Sequence, residues 1–181
     1  MAVMTKEQYI DSLRKMNPTA YMFGEKIESV VDNPRIRAGI EATAATYEIA
    51  ADPAIRDLVV TQSPLIDEPV NRFTLPPASI EDLVARVKIN RTLGRYVGTC
   101  HQRCTGLDCL SALSIVTYDI DQKHNTEYFG RFQRFLAHVQ KGDLTCNAGV
   151  TDVKGDRSLR PSKQVHPDYY VRIVEERDDG I

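Results

Sequence analysis

Residues 98–109 read GTCHQRCTGLDC, and three of the chain's four cysteines fall inside these twelve positions. The stretch lies where one helical pattern gives way to another. Upstream, Ser79 with Asp82 marks a helix start, and Leu83, Val84, Val87 and Leu93 follow on one side. Gly94 and Gly98 interrupt that run. From Thr99 to about Lys123 the spacing predicts a second long helix, with Leu107, Leu110, Leu113 and Ile120 apolar and Asn125 at its end. Read this way, the junction joins helix to helix and the chain becomes a helical block.

The same reading sets the cysteine geometry. On a helix, Cys100 and Cys104 stand four residues apart and share a face, with β-carbons about 5–6 Å apart. Cys109, nine residues past Cys100, is turned away from that face. Two thiolates on one face suit a compact metal centre, and the same spacing suits two buried cysteines. A zinc or iron–sulfur centre takes about four protein ligands, and this chain offers two together. Gly94 and Gly98 allow close backbone approach, and Gln102 and Arg103 add polarity between the thiols. His101 is expected to point elsewhere, and His124, His138 and His166 show no ligand spacing. Cys109 and Cys146 read as small buried hydrophobes.

Working outward, Thr5 with Gln8 forms a capping-box pattern ahead of Tyr9, Ile10, Leu13 and Met16, and Asn17-Pro18 stops that helix. Residues 18–33 read as irregular. Asn33-Pro34 opens a helix to about Ala51, and Asp52-Pro53 starts a shorter one ending near Val60. The proline-rich TQSPLIDEPVNRFTLPPAS reads as a long connection with room for a short hairpin. Thr126 is the expected cap of a helix carrying Phe129, Phe132, Leu136 and Val139, and Gly142 fits its stop. Then the texture changes. DLTCNAGVTD and YYVRIVEE alternate like strands around the polar VKGDRSLRPSKQVHPD. The expected organisation is a helical domain over 1–142 and the opening strands of a β domain over 143–181. Two strands make no stable sheet alone, so completion by further chain is expected.

Composition narrows the function classes. The 181 residues are 42% hydrophobic and 27% charged, enough apolar material for a core. A net charge of −2 carries no electrostatic footprint for nucleic acid or an anionic membrane. No apolar run approaches the length of a bilayer span, and MAVMTKEQYIDSLRK lacks the apolar centre of a signal peptide. These features point to the cytoplasm, where thiols stay reduced.

Four stretches, MTKEQYIDSLRKMNPTAYMFGEKIESVVDNP, GTCHQRCTGLD, YDIDQKHNTEY and TDVKGDRSLRPS, closely resemble the N-terminal part of the 4-hydroxybutyryl-CoA dehydratase (vinylacetyl-CoA isomerase) family. More distantly, the chain is similar to flavin-dependent 4-hydroxyphenylacetate 3-monooxygenases, which lack the cysteine pair. The resemblance implies an acyl-CoA-dehydrogenase-like architecture, here incomplete, with a helical N-terminal domain leading into a central β domain. It implies a homotetramer, an acyl-CoA substrate, FAD and a 4Fe–4S cluster. It makes Cys100 and Cys104 cluster ligands, the other two ligands lying beyond residue 181. It also implies flavin redox chemistry at an unreactive C–H bond, with cluster iron as Lewis acid toward a leaving hydroxyl.

Gln102 and Arg91 become candidates to line the flavin–cluster pocket, although Arg91 reads equally as a solvated helix charge. Thr151, Lys154, Gly155, Asp156, Arg157 and Ser158 match the start of the family's flavin site. Hydroxyls, loop amides and a cation suit a flavin or pyrophosphate, and the same residues make a solvated turn. Two further readings remain: a flavin monooxygenase relative with incidental cysteines, and a non-catalytic helical module that docks a partner.

Overall fold

The computed structural model describes residues 3–147, 155–169 and 173–178. The chain falls into two packed units, Met1–Asn147 and Ala148–Ile181. Among the described residues of the first unit are six helices and two antiparallel hairpins. No helix among the described residues is long and apolar enough to cross a membrane.

Helix α1 (Lys6–Met16) starts on the Thr5 capping box and ends with Asn17 in the left-handed conformation. Tyr9 is its buried residue, stacked on Tyr47 with ring centroids 4.6 Å apart. Strands β1 (Ala20–Met22) and β2 (Glu25–Ile27) then pair, where the sequence reads as irregular. Three-residue strands are too short for alternation to register. The turn between them, Phe23-Gly24, holds both residues at positive φ, 53° and 81°. That is the twist hairpin turns favour, but phenylalanine is a poor signal for it.

Helix α2 (Pro34–Ala51) is capped by the Asn33 side chain, which accepts from the Arg35 amide. Its small residues, Ala42, Ala44, Ala45 and Ala50, are buried and let neighbours approach closely. A short α3 (Arg56–Val59) leads into β3 (Val60–Gln62), which pairs with β4 (Pro69–Asn71), the hairpin the proline-rich connection allows.

Helix α4 (Ile80–Val97) is capped by Ser79. Its buried residues are Ile89 and Leu93, which join Ala45, Ile49, Val59, Phe73 and Leu107 in the main core. Leu83, Val84 and Val87, expected inward with Leu93, are exposed. The strip through 80, 83, 84 and 87 and the strip through 89 and 93 lie on different sides of the helix, and the core takes the second.

Helix α5 spans Arg103–His124 and α6 Tyr128–Lys141. Leu110 meets Phe132, Leu136 and Val139 in a second core between them, whereas Leu113 is exposed. The cap of α6 is not Thr126. The Asp121 carboxylate reaches back from α5, accepting from the Tyr128 and Phe129 amides at 2.8 Å and from the Thr126 hydroxyl at 2.6 Å. Partial burial works the other way, but these bonds hold its pKa below the ordinary value. Asp121→Ala is therefore expected to lower the thermal midpoint by a few degrees, read by circular dichroism. Because the folded pKa is depressed, the contribution is present above about pH 4 and is lost as pH falls through the lowered value.

Neither expected strand appears among the described residues. Residues 144–147 and 173–176 carry no strand, Tyr169 ends a 3-10 turn (Pro167–Tyr169), and 148–154 and 170–172 lie outside the described residues.

Candidate functional site

The cysteine pair is built differently from the expected continuous helix. Gly98, at φ 66°, ends α4 in the left-handed conformation, and α5 begins only at Arg103. Cys100 is thus an exposed loop residue, while Cys104 sits half-buried in the first turn of α5. The thiols flank a helix N-terminus instead of sharing a helical face. Between them, Gln102 holds φ 66° and ψ −33° and makes no side-chain cap bond. Non-glycine residues adopt positive φ at a cost, and such positions concentrate at functional sites.

The start of α5 is fixed by Arg103. This guanidinium is buried, 1% exposed, against an Asp143 carboxylate that is 0% exposed, with Nη2 donating to Oδ1 at 2.7 Å. Nη1 donates to the Thr46 hydroxyl, and the cation lies 4.3 Å from the Tyr47 ring centroid. The second Asp143 oxygen accepts from the Met4 amide. Burial pushes the Tyr47 phenol up to about 12. It stays protonated and donates to the Asp143 carbonyl, so the Thr145 hydroxyl must donate to it in turn. A charge-assisted network therefore ties α1, α2, α5 and the segment after α6 to one point, immediately before Cys104.

His101, expected to point away, is turned inward and is 5% exposed against Phe73, ring centroids 5.1 Å apart. Burial and the Arg103 charge push its pKa down, and its Nδ1 has no hydrogen-bond partner. Its position follows from the loop, which helical periodicity does not anticipate.

Gly106 carries a further constraint. A β-carbon there would run into the Cys146 carbonyl, whose chain lies directly on α5. Gly106→Ala must displace backbone, and a loss of about 1–3 kcal/mol in urea unfolding is expected.

This geometry places two sulfur donors at the two sides of a helix start. The first amides of α5 lack a side-chain cap, and a helix N-terminus favours negative charge. Cys104 sits beside these amides in the first turn, and sulfur there is a candidate metal donor. By its chemistry the donor set would suit two of the four ligands of a cluster, with one sulfur on an exposed loop and one in the turn that Arg103 anchors. Among the described residues no group of three or more His, Cys, Asp or Glu gathers for a metal.

The other candidates lie elsewhere. Arg91 is exposed on the outer side of α4, where with Lys88 it borders an apolar groove of about 380 Å³ lined by Ile80, Leu83, Val84 and Val87. Thr151 and Lys154 lie outside the described residues. Gly155, Asp156, Arg157 and Ser158 belong to the second unit and are exposed. There the Asp156 carboxylate accepts from the Ser158 amide at 2.9 Å and hydroxyl at 2.6 Å, and these bonds hold its pKa down. Gln164 braces the turn by accepting from the Asp156 amide and donating to the Asp156 and Leu159 carbonyls.

The helical unit of α1–α6 is one that other proteins share. Residues 5–181 match the 4-hydroxyphenylacetate 3-hydroxylase N-terminal family, to which the chain belongs. It is 50% identical over 179 residues to the 4-hydroxybutyryl-CoA dehydratase/vinylacetyl-CoA-Delta-isomerase of Clostridium aminobutyricum, covering 99% of this chain and 36% of that one. An oxygen-tolerant archaeal 4-hydroxybutyryl-CoA dehydratase from N. maritimus superposes with a TM-score of 0.87 at 41% identity, over 97% of this chain and 35% of that one. The oxygenase component of 4-hydroxyphenylacetate 3-monooxygenase, solved with FAD and 4-hydroxyphenylacetate, shares the fold at a TM-score of 0.74 and 21% identity, over 98% of this chain and 36% of that one. The chain spans about a third of the length of these relatives.

Proposed function

We propose that residues 1–181 are the N-terminal part of a flavin- and iron–sulfur-dependent dehydratase that converts 4-hydroxybutyryl-CoA to crotonyl-CoA and isomerises vinylacetyl-CoA. The observation that carries this reading is the thiol pair at the uncapped N-terminus of α5, anchored by Arg103 and Asp143. The 50% identity to a dehydratase supports it. Cys100 and Cys104 hold one side of a 4Fe–4S cluster, and the remaining ligands come from outside residues 1–181. When bound, the cluster supplies Lewis acidity toward a leaving hydroxyl, and FAD supplies one-electron redox chemistry. The chain's own residues bind and orient. Gln102 is held in a strained conformation between the thiols, and Arg91, exposed on α4, lines the flavin–cluster pocket with it on this reading. Thr151 to Ser158 form the rim of the flavin site.

Residues 1–181 alone are inactive on this reading, because half of the ligand set is elsewhere. The active form is a cytoplasmic homotetramer with the further chain that its relatives carry, and the apolar strip on α4 supports burial against such a neighbour. Iron, acid-labile sulfide and flavin analysis of the anaerobically purified full-length enzyme tests the proposal. Four irons and four sulfides per subunit with bound FAD are expected of a 4Fe–4S flavoenzyme. Flavin without iron or sulfide would move the monooxygenase reading ahead.

A further inference from the structure

Cys109 and Cys146 are far apart in sequence, and each reads alone as a packing residue. The fold brings them together. Residues three and four apart are neighbours on a helix, so Gly106, Cys109 and Leu110 form one patch on α5. Cys146 seats on that patch. A β-carbon at Gly106 would stand 2.9 Å from the Cys146 β-carbon, and Cys146 also packs on the cluster containing Leu110. The Cys146 side chain therefore lies within one helical turn of Cys109. Both residues are free thiols, and both are only half-buried, so a small oxidant reaches them. Burial raises the Cys146 pKa, Arg103 lowers it and Cys109 raises it, which puts the two sulfurs within electrostatic reach of each other.

We propose that Cys109 and Cys146 are a redox-active pair that closes to a disulfide under peroxide, bonding α5 to the segment that follows α6. One thiolate attacks hydrogen peroxide, giving a sulfenic acid and releasing water after proton uptake. The second thiol attacks that sulfur and expels a second water. Two electrons leave the pair and one peroxide is reduced to two waters. Residues 144–147 carry no helix or strand; Leu144 and Thr145 hold to Val139 and Tyr47, and Cys146 beyond them can settle into the roughly 4.4–6.8 Å Cα separation a disulfide needs. Asp143 lies three residues before Cys146 and Arg103 six residues before Cys109. The bond therefore clamps the Arg103–Asp143 anchor shut without consuming Cys100 or Cys104. The inference does not depend on the dehydratase reading, since it needs no cluster, flavin or substrate.

The test exposes the reduced chain to graded hydrogen peroxide, blocks remaining thiols with N-ethylmaleimide and maps unreduced peptides by mass spectrometry. The expected product is a Cys109–Cys146 cross-linked peptide, lighter by two hydrogens than its thiol forms and reversed by dithiothreitol. Closing a loop of this length is expected to raise the thermal midpoint by roughly 5–10 °C. The cross-link should persist in the Cys100→Ser/Cys104→Ser double variant and vanish in Cys109→Ser. Three outcomes overturn the proposal: independent alkylation of Cys109 and Cys146 after peroxide, separate sulfinic acids on each, or a bond pairing either with Cys100 or Cys104. The wild-type map decides the matter even where a variant folds poorly.

Discussion

Replacing Cys104 by alanine in an enzyme of the relatives' full length is expected to bring dehydratase activity to background, with iron content falling in parallel. On the proposed reading Cys104 is one of four cluster ligands, a cubane cluster resists loss and oxidation poorly with three, and Cys104 sits in the turn that buried Arg103 anchors. Cys100→Ala should show the same double loss, since the loop between Gly98 and Gln102 offers no second thiol. Cys109→Ala is the control: it removes a half-buried sulfur and should cost packing stability alone, about 1 kcal/mol or somewhat more. The three variants are purified anaerobically and assayed for iron, sulfide and turnover. If Cys104→Ala keeps its iron and its activity, the ligand assignment is wrong.

The largest stability effect should come from Asp143. Asp143→Ala leaves the Arg103 guanidinium buried without its counter-charge, and breaking a buried pair in this way costs about 3–5 kcal/mol. That is a large share of the ~5–15 kcal/mol that holds a typical domain folded. The variant also strips the Met4 amide of its acceptor, so the N-terminal end of α1 should loosen with it. Removing both charges as Arg103→Met/Asp143→Leu should be markedly less damaging than Asp143→Ala alone, because no unpaired charge remains inside. Urea unfolding of wild type, the single variants and the double variant forms the cycle that measures the coupling. A loss under about 1 kcal/mol for Asp143→Ala would mean that the network does not anchor the start of α5.

Much of the fold is legible in the sequence. Wherever a local side chain closes a helix end, as at Thr5 with Gln8, Asn33-Pro34 and Ser79, the helix begins where its cap says. The C-terminal stops at Asn17, Gly98 and Asn125 are also local, since each takes the left-handed conformation its residue type tolerates. Asp121 shows the limit. It caps α6 from α5, and no pattern inside α6 could announce a cap that arrives from the preceding helix.

The family resemblance rests on residues that the sequence displays openly. The shape of the thiol site was decided elsewhere. Periodicity extends α5 back to Thr99 because nothing in GTCHQ forbids a helix as strongly as proline would. Tertiary contacts instead start the helix at Arg103, whose charge can be buried only where Asp143, Thr46 and the Tyr47 ring converge. That single requirement draws the loop over Phe73, turns His101 inward and leaves Cys100 outside the helix and Cys104 within it. The meeting of Cys109 with Cys146 has the same origin. Hydrophobicity and capping act over a few residues and can be read along a chain, whereas a buried ion pair and a glycine against a carbonyl are bargains between distant segments, settled only once the helices pack.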